Sequence, residues 1–163
     1  MSYSLLIHDL ENPPLKWAEK ALVWAARPKV KPCQGCFGCW ERTPGVCVIN
    51  DRAQALPSLL AQTDHLILVS RLSVWGVSPE VKAVLERGLP NLLPFMAQKM
   101  GVLLHDPRHP HPWALTAVFY GPLETERQDL AQAMIEAIGL NLASNPIKCH
   151  FISELKLETQ FCP

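Results

Sequence analysis

The sequence carries no excess of charge of either sign: fifteen Lys and Arg balance fifteen Asp and Glu over 163 residues. Without a basic surplus to neutralise phosphates, the chain is not expected to bind nucleic acid, and it has no acidic tail. It also lacks a long apolar run, since no stretch approaches the roughly 20 residues a bilayer crossing needs. The opening residues, Met1 to Asp9, hold neither a charged leader nor a long apolar segment, so they do not read as a secretion signal. These absences predict a soluble, cytoplasmic protein away from membranes, in a compartment where thiols stay reduced. There is no internal repeat and no low-complexity stretch. No Gly-x-Gly-x-x-Gly follows a strand, and no Gly-x-Ser-x-Gly elbow is present. The chemistry must therefore come from elsewhere.

What is present suits a packed globular domain. Hydrophobic residues make up 48% and charged residues 18% of the chain. The length fits one domain, residues 1–163, able to bury about two-thirds of the surface its unfolded chain would expose. Ser4 to His8 is a short apolar run that predicts a buried first strand. Residues 15–26 place apolar side chains at helical spacing behind Pro13-Pro14, which predicts a helix. Residues 29–32 read as a short edge strand limited by proline. Asp51, with Gln54 three residues on, reads as the cap of a helix to about residue 61. Residues 66–69 form a continuous apolar run, the mark of a parallel strand buried on both faces.

Further on, Ser78-Pro79-Glu80 combines a cap, a first-turn proline and a first-turn acid, predicting a helix to about Arg87. Residues 114–120 read as a strand, and 124–138 as a helix closed by Gly139. Residues 149–152 read as a last strand. The proline- and histidine-rich segment 90–112 reads as an excursion outside the sheet. Strands alternating with helices predict an open parallel sheet with helices on both faces.

The strongest local signal is Cys33, Cys36, Cys39 and Cys47, within residues 32–47 in the form C-x2-C-x2-C-x7-C. Three thiolates spaced by two residues can wrap one compact inorganic centre, and the intervening glycines permit tight turns. Ferredoxin-type clusters use a similar consecutive run. Structural zinc more often uses two separated knuckles, and a Cys33/Cys36 dithiol is a third chemistry. The same thiols would also serve as small buried apolar groups.

The run from Cys33 through Trp40 and Cys47 to Asp51 resembles the cysteine loop of flavodoxin-like NAD(P)H-dependent FMN reductases, and more narrowly their iron–sulfur flavoprotein branch. Residues 64–69, 76–87, 92–95, 105–108 and 118–121 have counterparts there too, so the resemblance spans roughly residues 32–142. It implies a flavodoxin-like three-layer sandwich with about five parallel strands and FMN at their carboxyl ends. It also implies a [4Fe-4S] cluster on Cys33, Cys36, Cys39 and Cys47, close to the flavin. Flavin contacts would come from Ser70, Arg71, Ser73, Trp75, Gly76, Tyr120 and Gly121. NAD(P)H or a donor protein would supply electrons transiently, and the assembly would be a homodimer or homotetramer.

One part of the pattern is missing. The family's loop after the first strand, Gly-Ser-x-Arg-x-x-Gly-Asn-Thr, cradles the FMN phosphate; here it reads Asp9-Leu10-Glu11-Asn12-Pro13-Pro14. Two prolines remove N–H donors and two carboxylates oppose a dianion. The flavin loop likewise has Arg71 and Ser73 where the family has proline and an aromatic or Thr. This departure supports the alternative of a non-enzymatic metal-binding (zinc or cluster) or interaction domain that has lost FMN; a thiol switch is a third. Among other residues, Lys82 and Arg87 read as solvated helix charges, His105, His109 and His111 as loop histidines, and Asp51 as a cap. Phe37 and Trp40 read as a cluster shield or as core or interface residues. Cys149 reads as a buried apolar residue and Cys162 as exposed.

Overall fold

The computed structural model describes residues 3–99, 101–109 and 113–153. His111 and Cys162 lie outside the described residues. The strands are β1 (Ser4–His8), β2 (Leu22–Ala25), β3 (His65–Arg71), β4 (Leu92–Lys99), β5 (Val102–Pro107), β6 (Ala114–Tyr120) and β7 (Ile147–Phe151). The α-helices are α1 (Gly38–Glu41), α2 (Leu56–Ala61), α3 (Pro79–Glu86) and α4 (Thr125–Asn141), with 3-10 turns at Leu15–Glu19, Arg52–Ala55 and Leu89–Asn91.

Five strands form one parallel sheet in the order β2-β1-β3-β6-β7. Counted along the sheet this is 2-1-3-4-5, the flavodoxin-like order, which reverses direction between β1 and β3. The central strands are apolar on both faces because both are covered. Leu5, Ile7, Leu66, Leu68, Leu115 and Phe119 face one core, built with side chains of α2, α3 and α4. Leu6, Ile67, Val69, Val118 and Tyr120 face the other, where Trp17 of the first 3-10 turn is the large buried partner. Among the described residues, α-helices cover one face and the 3-10 turn with Trp17 packs on the other.

Several sequence expectations are corrected. Residues 15–26 do not form a helix: five residues make a 3-10 turn, and Leu22–Ala25 pairs in parallel with β1 as an edge strand. Apolar residues at 21, 22, 25 and 26 satisfy helical spacing, but the β1 edge supplies a ladder of backbone partners that a helix cannot use, ending with Ala26 N–H donating to His8 O at 2.6 Å. Residues 29–32 are in no strand. Segment 90–112 is not merely an excursion, because β4 and β5 pair antiparallel around a turn at Gly101, whose φ is +80°. Gly139 does not close α4, which runs on to Asn141; it is a contact point, since a Cβ there would lie 2.3 Å from Ile147 Cδ1. His105 belongs to β5, its Nδ1 2.8 Å from Leu93 O, whereas His109 is exposed.

His8 ends β1 fully buried, edge-on to the Trp17 ring at 6.2 Å. Neither of its ring nitrogens makes a well-formed hydrogen bond among the described residues. Burial holds its pKa below the ordinary histidine value, against smaller opposing effects of Asp9 and the Leu10 backbone. The unfolded chain therefore takes up this proton first as pH falls. The stabilisation is whole above about pH 6.5 and is lost below it, at up to about 1.4 kcal/mol per pH unit. Unfolding midpoints should drop between pH 7 and pH 5, and His8→Phe should flatten that drop. Parallel curves for the two proteins would move the acid sensitivity to another group, such as His65, whose pKa is also lowered by burial.

Candidate functional site

At the switch between β1 and β3 an open cleft of about 800 Å³ lies at the carboxyl ends of the strands. Ligands of open α/β sheets bind at this position. Of the residues expected around a flavin, Arg71, Ser73, Tyr120 and Gly121 line it. Ser70 does not: it is buried, and its Oγ accepts from Ser78 N–H at 2.8 Å, tying β3 to the start of α3. Trp75 is 78% exposed and outside the lining. Gly76 shapes the loop instead. Its φ is +100°, it exchanges backbone hydrogen bonds with Ser73, and a Cβ there would meet Met134 Cε at 2.6 Å.

The residue that sequence reasoning left out of the site is Asp9. It is buried, and its carboxylate accepts from Arg71 N–H at 3.1 and 3.2 Å and from Tyr120 O–H at 2.9 Å. It thus takes up donors at the ends of two strands. Arg27, also in the lining, lies 3.3 Å from Glu11 and 3.7 Å from Glu80. The Arg71 side chain packs along Gly121, and its guanidinium has no carboxylate partner among the described residues. The only sequence signal for Asp9 was negative: a carboxylate where a donor-rich loop was expected.

The second candidate is the cysteine loop. None of its four cysteines lines the cleft. Cys39 and Cys47 are buried, Cys33 half-buried and Cys36 exposed, and all four are free thiols. Burial pushes the Cys39 thiol up, and Cys47, Cys33 and Cys36 push it further. Among the described residues, no three His, Cys, Asp or Glu side chains are gathered as a metal-binding group. Gly35 turns with φ +63°, and Phe37 enters α1 with φ +55°. Gly38 is needed for close packing, since a Cβ would lie 2.6 Å from Val48 Cγ1. Phe37 stacks on Trp40 at 5.5 Å, Trp40 lies 5.2 Å from His105, and its Nε1–H donates to Leu92 O at 2.8 Å. These rings fasten the loop to the β4–β5 hairpin.

Arg87, expected as a solvated charge, is fully buried and closes the loop at its base. One nitrogen donates to Lys31 O at 3.0 Å and to Asp51 Oδ2 at 2.9 Å, the other to Ile49 O at 3.0 Å. Asp51 also caps the following turn by accepting from Ala53 N–H at 3.0 Å. The Arg87 hydrogen bond holds the Asp51 carboxyl below its usual range. Gln54 does not complete a capping box; its amide donates to Cys47 O at 2.9 Å. Lys82 is exposed, as expected, paired with Glu86. Cys149 packs against the core, and burial followed by Glu136 pushes its thiol up to about 11.

No family model and no curated protein matches the sequence. Solved structures do share the fold. The chain is similar to Smu.1420 from Streptococcus mutans UA159, at 14% identity and a TM-score of 0.60, covering 94% of this chain and 88% of that one. It is similar to an azoreductase from Bacillus anthracis str. Sterne, at 9% identity and a TM-score of 0.61, over 97% and 92% of the two chains. It is also similar to an FMN-dependent NADH-azoreductase from Bacillus anthracis str. Ames Ancestor in complex with FMN, at 9% identity and a TM-score of 0.58, over 96% and 89%.

Removing one partner of a buried, hydrogen-bonded charge pair leaves the other uncompensated. Arg87→Ala is therefore expected to lower stability by about 3–5 kcal/mol. Arg87→Lys should recover little, because one ammonium does not reproduce the fork that spans these acceptors. Urea unfolding of the three proteins measures both effects. A loss under about 1 kcal/mol would return Arg87 to the class of exposed ion pairs.

Proposed function

We propose that this protein is a redox protein on a flavodoxin-like fold, resembling NAD(P)H-dependent FMN reductases, with an iron–sulfur centre in the cysteine loop and a flavin in the cleft. The observation that carries the reading is the C-x2-C-x2-C-x7-C spacing of four free thiols in a loop clamped at its base. An electropositive centre relieves the mutual repulsion of such thiolates, and three C-x2-C-spaced ligands plus a fourth suit a [4Fe-4S] cluster. Cys33, Cys36, Cys39 and Cys47 would be the ligands. Loading would rearrange the loop, because the thiols do not stand as a closed ligand set beforehand. Arg87, whose Nε has no hydrogen-bond partner among the described residues, would stand at the base of the loaded loop as its buried cation.

The flavin reading rests on the cleft's position at the switch point and on the FMN held by one structure of the same fold. Arg71, Ser73, Tyr120 and Gly121 would meet the flavin, with Ser70 and Gly76 holding the loop and Trp75 at its exposed tip. The fit is uneven. The cleft has room for the ring, but the loop after β1 offers carboxylates and proline where a phosphate needs donors. A cluster supplies one-electron exchange, a flavin couples one- and two-electron steps, and NAD(P)H is the hydride donor such a pair uses. The chain's own part is to hold the thiolates, to orient the ring with Arg71 and Tyr120, and to fix both on rigid elements. A homodimer or homotetramer would cover the hairpin's Phe95 and Leu103, 68% and 62% exposed.

The second reading is a metal-binding or interaction domain without flavin, favoured by Asp9 standing where a phosphate cradle would be. One sample separates the two: protein purified without oxygen, with its visible spectrum recorded and its iron, sulfide, zinc and flavin assayed. Broad brown absorption with about four iron and four sulfide per chain is expected, and Cys36→Ser should abolish it. A colourless protein holding zinc, or full iron retained in Cys36→Ser, would sink the cluster assignment. In light scattering, Phe95→Asp with Leu103→Asp should turn an oligomer into a monomer; an unchanged mass would place the interface elsewhere.

A further inference from the structure

The loops that open onto the cleft share one chemical feature: each brings its own acid and little donor capacity. After β1 stand Asp9, Glu11 and then Pro13-Pro14, followed by a five-residue 3-10 turn rather than an α-helix. At the start of α3, Ser78 spends its N–H on Ser70 and its Oγ on Val81 N–H; Pro79 has no N–H, and Glu80 adds a carboxylate. Before α4, Pro122 lines the cleft, Glu124 holds Arg127 at 2.9 Å, and Glu126 occupies the first turn. Helix starts attract anions through free N–H groups and the helix dipole. Here Glu80, Glu124 and Glu126 stand beside those starts, α3 being capped by the Ser78 hydroxyl and α4 by no side chain, and the Asp9 carboxylate takes donors from β3 and β6.

A phosphate dianion entering this cleft would meet Asp9, Glu11 and Glu80, with Arg27 already shared between the last two. Arg71 is left with its guanidinium unpaired among the described residues, set against Gly121. Of the three arginines in the lining, Arg27 is shared by Glu11 and Glu80 and Arg127 is held by Glu124, which leaves the guanidinium of Arg71; it suits neutral carbonyl oxygens on a ring edge better than a dianion beside the Asp9 carboxylate.

We infer that the cleft takes a flavin without a phosphate, riboflavin in preference to FMN. This rests on the flavin reading above and names the form of flavin. The resident carboxylates at the strand ends make the pocket selective for the uncharged ribityl end.

The test titrates the full-length, flavin-free protein with riboflavin and with FMN at the same ionic strength, following quenching of flavin fluorescence. Riboflavin should bind at least tenfold more tightly than FMN. Raising the salt concentration should narrow the gap, because screening weakens the repulsion of the dianion. Glu11 is 80% exposed, so Glu11→Gln, alone or with Glu80→Gln, leaves the core untouched and should shift the ratio severalfold toward FMN. Asp9→Asn should shift it further if it folds, but the wild-type ratio decides without it. FMN binding as tightly as riboflavin or more so overturns this inference and leaves the flavin function standing. Binding of neither overturns both.

Discussion

A buried guanidinium holds the most distinctive part of this molecule in place. Arg87 lies at the end of α3, out of contact with water, and the acceptors it needs come from the two ends of the cysteine loop: the carbonyls of Lys31 and Ile49 and the carboxylate of Asp51. A buried charge is tolerated when it is paired and hydrogen-bonded, as both terminal nitrogens of Arg87 are here. The loop therefore cannot spread at its base without stranding the arginine, and the arginine cannot leave without freeing the loop. Tight packing follows inside this frame, with Gly38 against Val48 and Trp40 bonded to Leu92 O. The positions of the thiols are thus a property of the helix–loop junction as much as of the Cys spacing.

The carboxyl end of the sheet solves a different electrostatic problem. Parallel strands and helix starts direct backbone N–H groups toward the switch point, and most folds of this kind leave them for a ligand. Here Asp9 accepts from Arg71 N–H and Tyr120 O–H, and Ser70 Oγ accepts from Ser78 N–H, joining β3 to α3. The backbone N–H groups of Arg71 and Ser78 beside the pocket thus already have partners, while the Arg71 guanidinium is left unpaired among the described residues. None of the four cysteines reaches its lining, so the two candidate sites are separate neighbourhoods on one scaffold.

Much of the scaffold was legible in the sequence. β3 stands out as a continuous apolar run at residues 66–69, β6 as a strand ending before Gly121-Pro122, and α3 as a cap followed by proline and an acid; all three form close to where they read. The failures have common causes. Residues 15–26 satisfy a helical period, yet the unfilled edge of β1 claims Leu22–Ala25, a pairing that local pattern cannot reveal. Pro94 and Pro107 masked two strands whose turn is marked by Gly101. Arg87 looked like any charge at a helix end, because its partners lie 36 to 56 residues earlier in the chain. For the sites, the cysteine spacing stood out as a candidate, and Arg71, Ser73, Tyr120 and Gly121 were singled out before the fold brought them to one cleft. Asp9 was visible only as an anomaly, since its meaning depends on strands that meet it across more than 60 residues.

The β4–β5 hairpin has a consequence for how the molecule breathes. It stands outside the five-stranded sheet and satisfies its backbone within its own ladder, with a local ion pair between Lys99 and Asp106. Its ties to the rest include Trp40 Nε1 to Leu92 O and the Arg108 contacts to Asn91 and Pro90. Such an appendage behaves as its own cooperative unit, able to detach while the parallel sheet stays intact. Because Trp40 is shared between the hairpin and the cysteine loop, each detachment also unroofs the sulfur-bearing segment. Solvent and oxidant access to the buried thiols of Cys39 and Cys47, unlike that of exposed Cys36, is then set by the hairpin's local opening equilibrium and not by global unfolding.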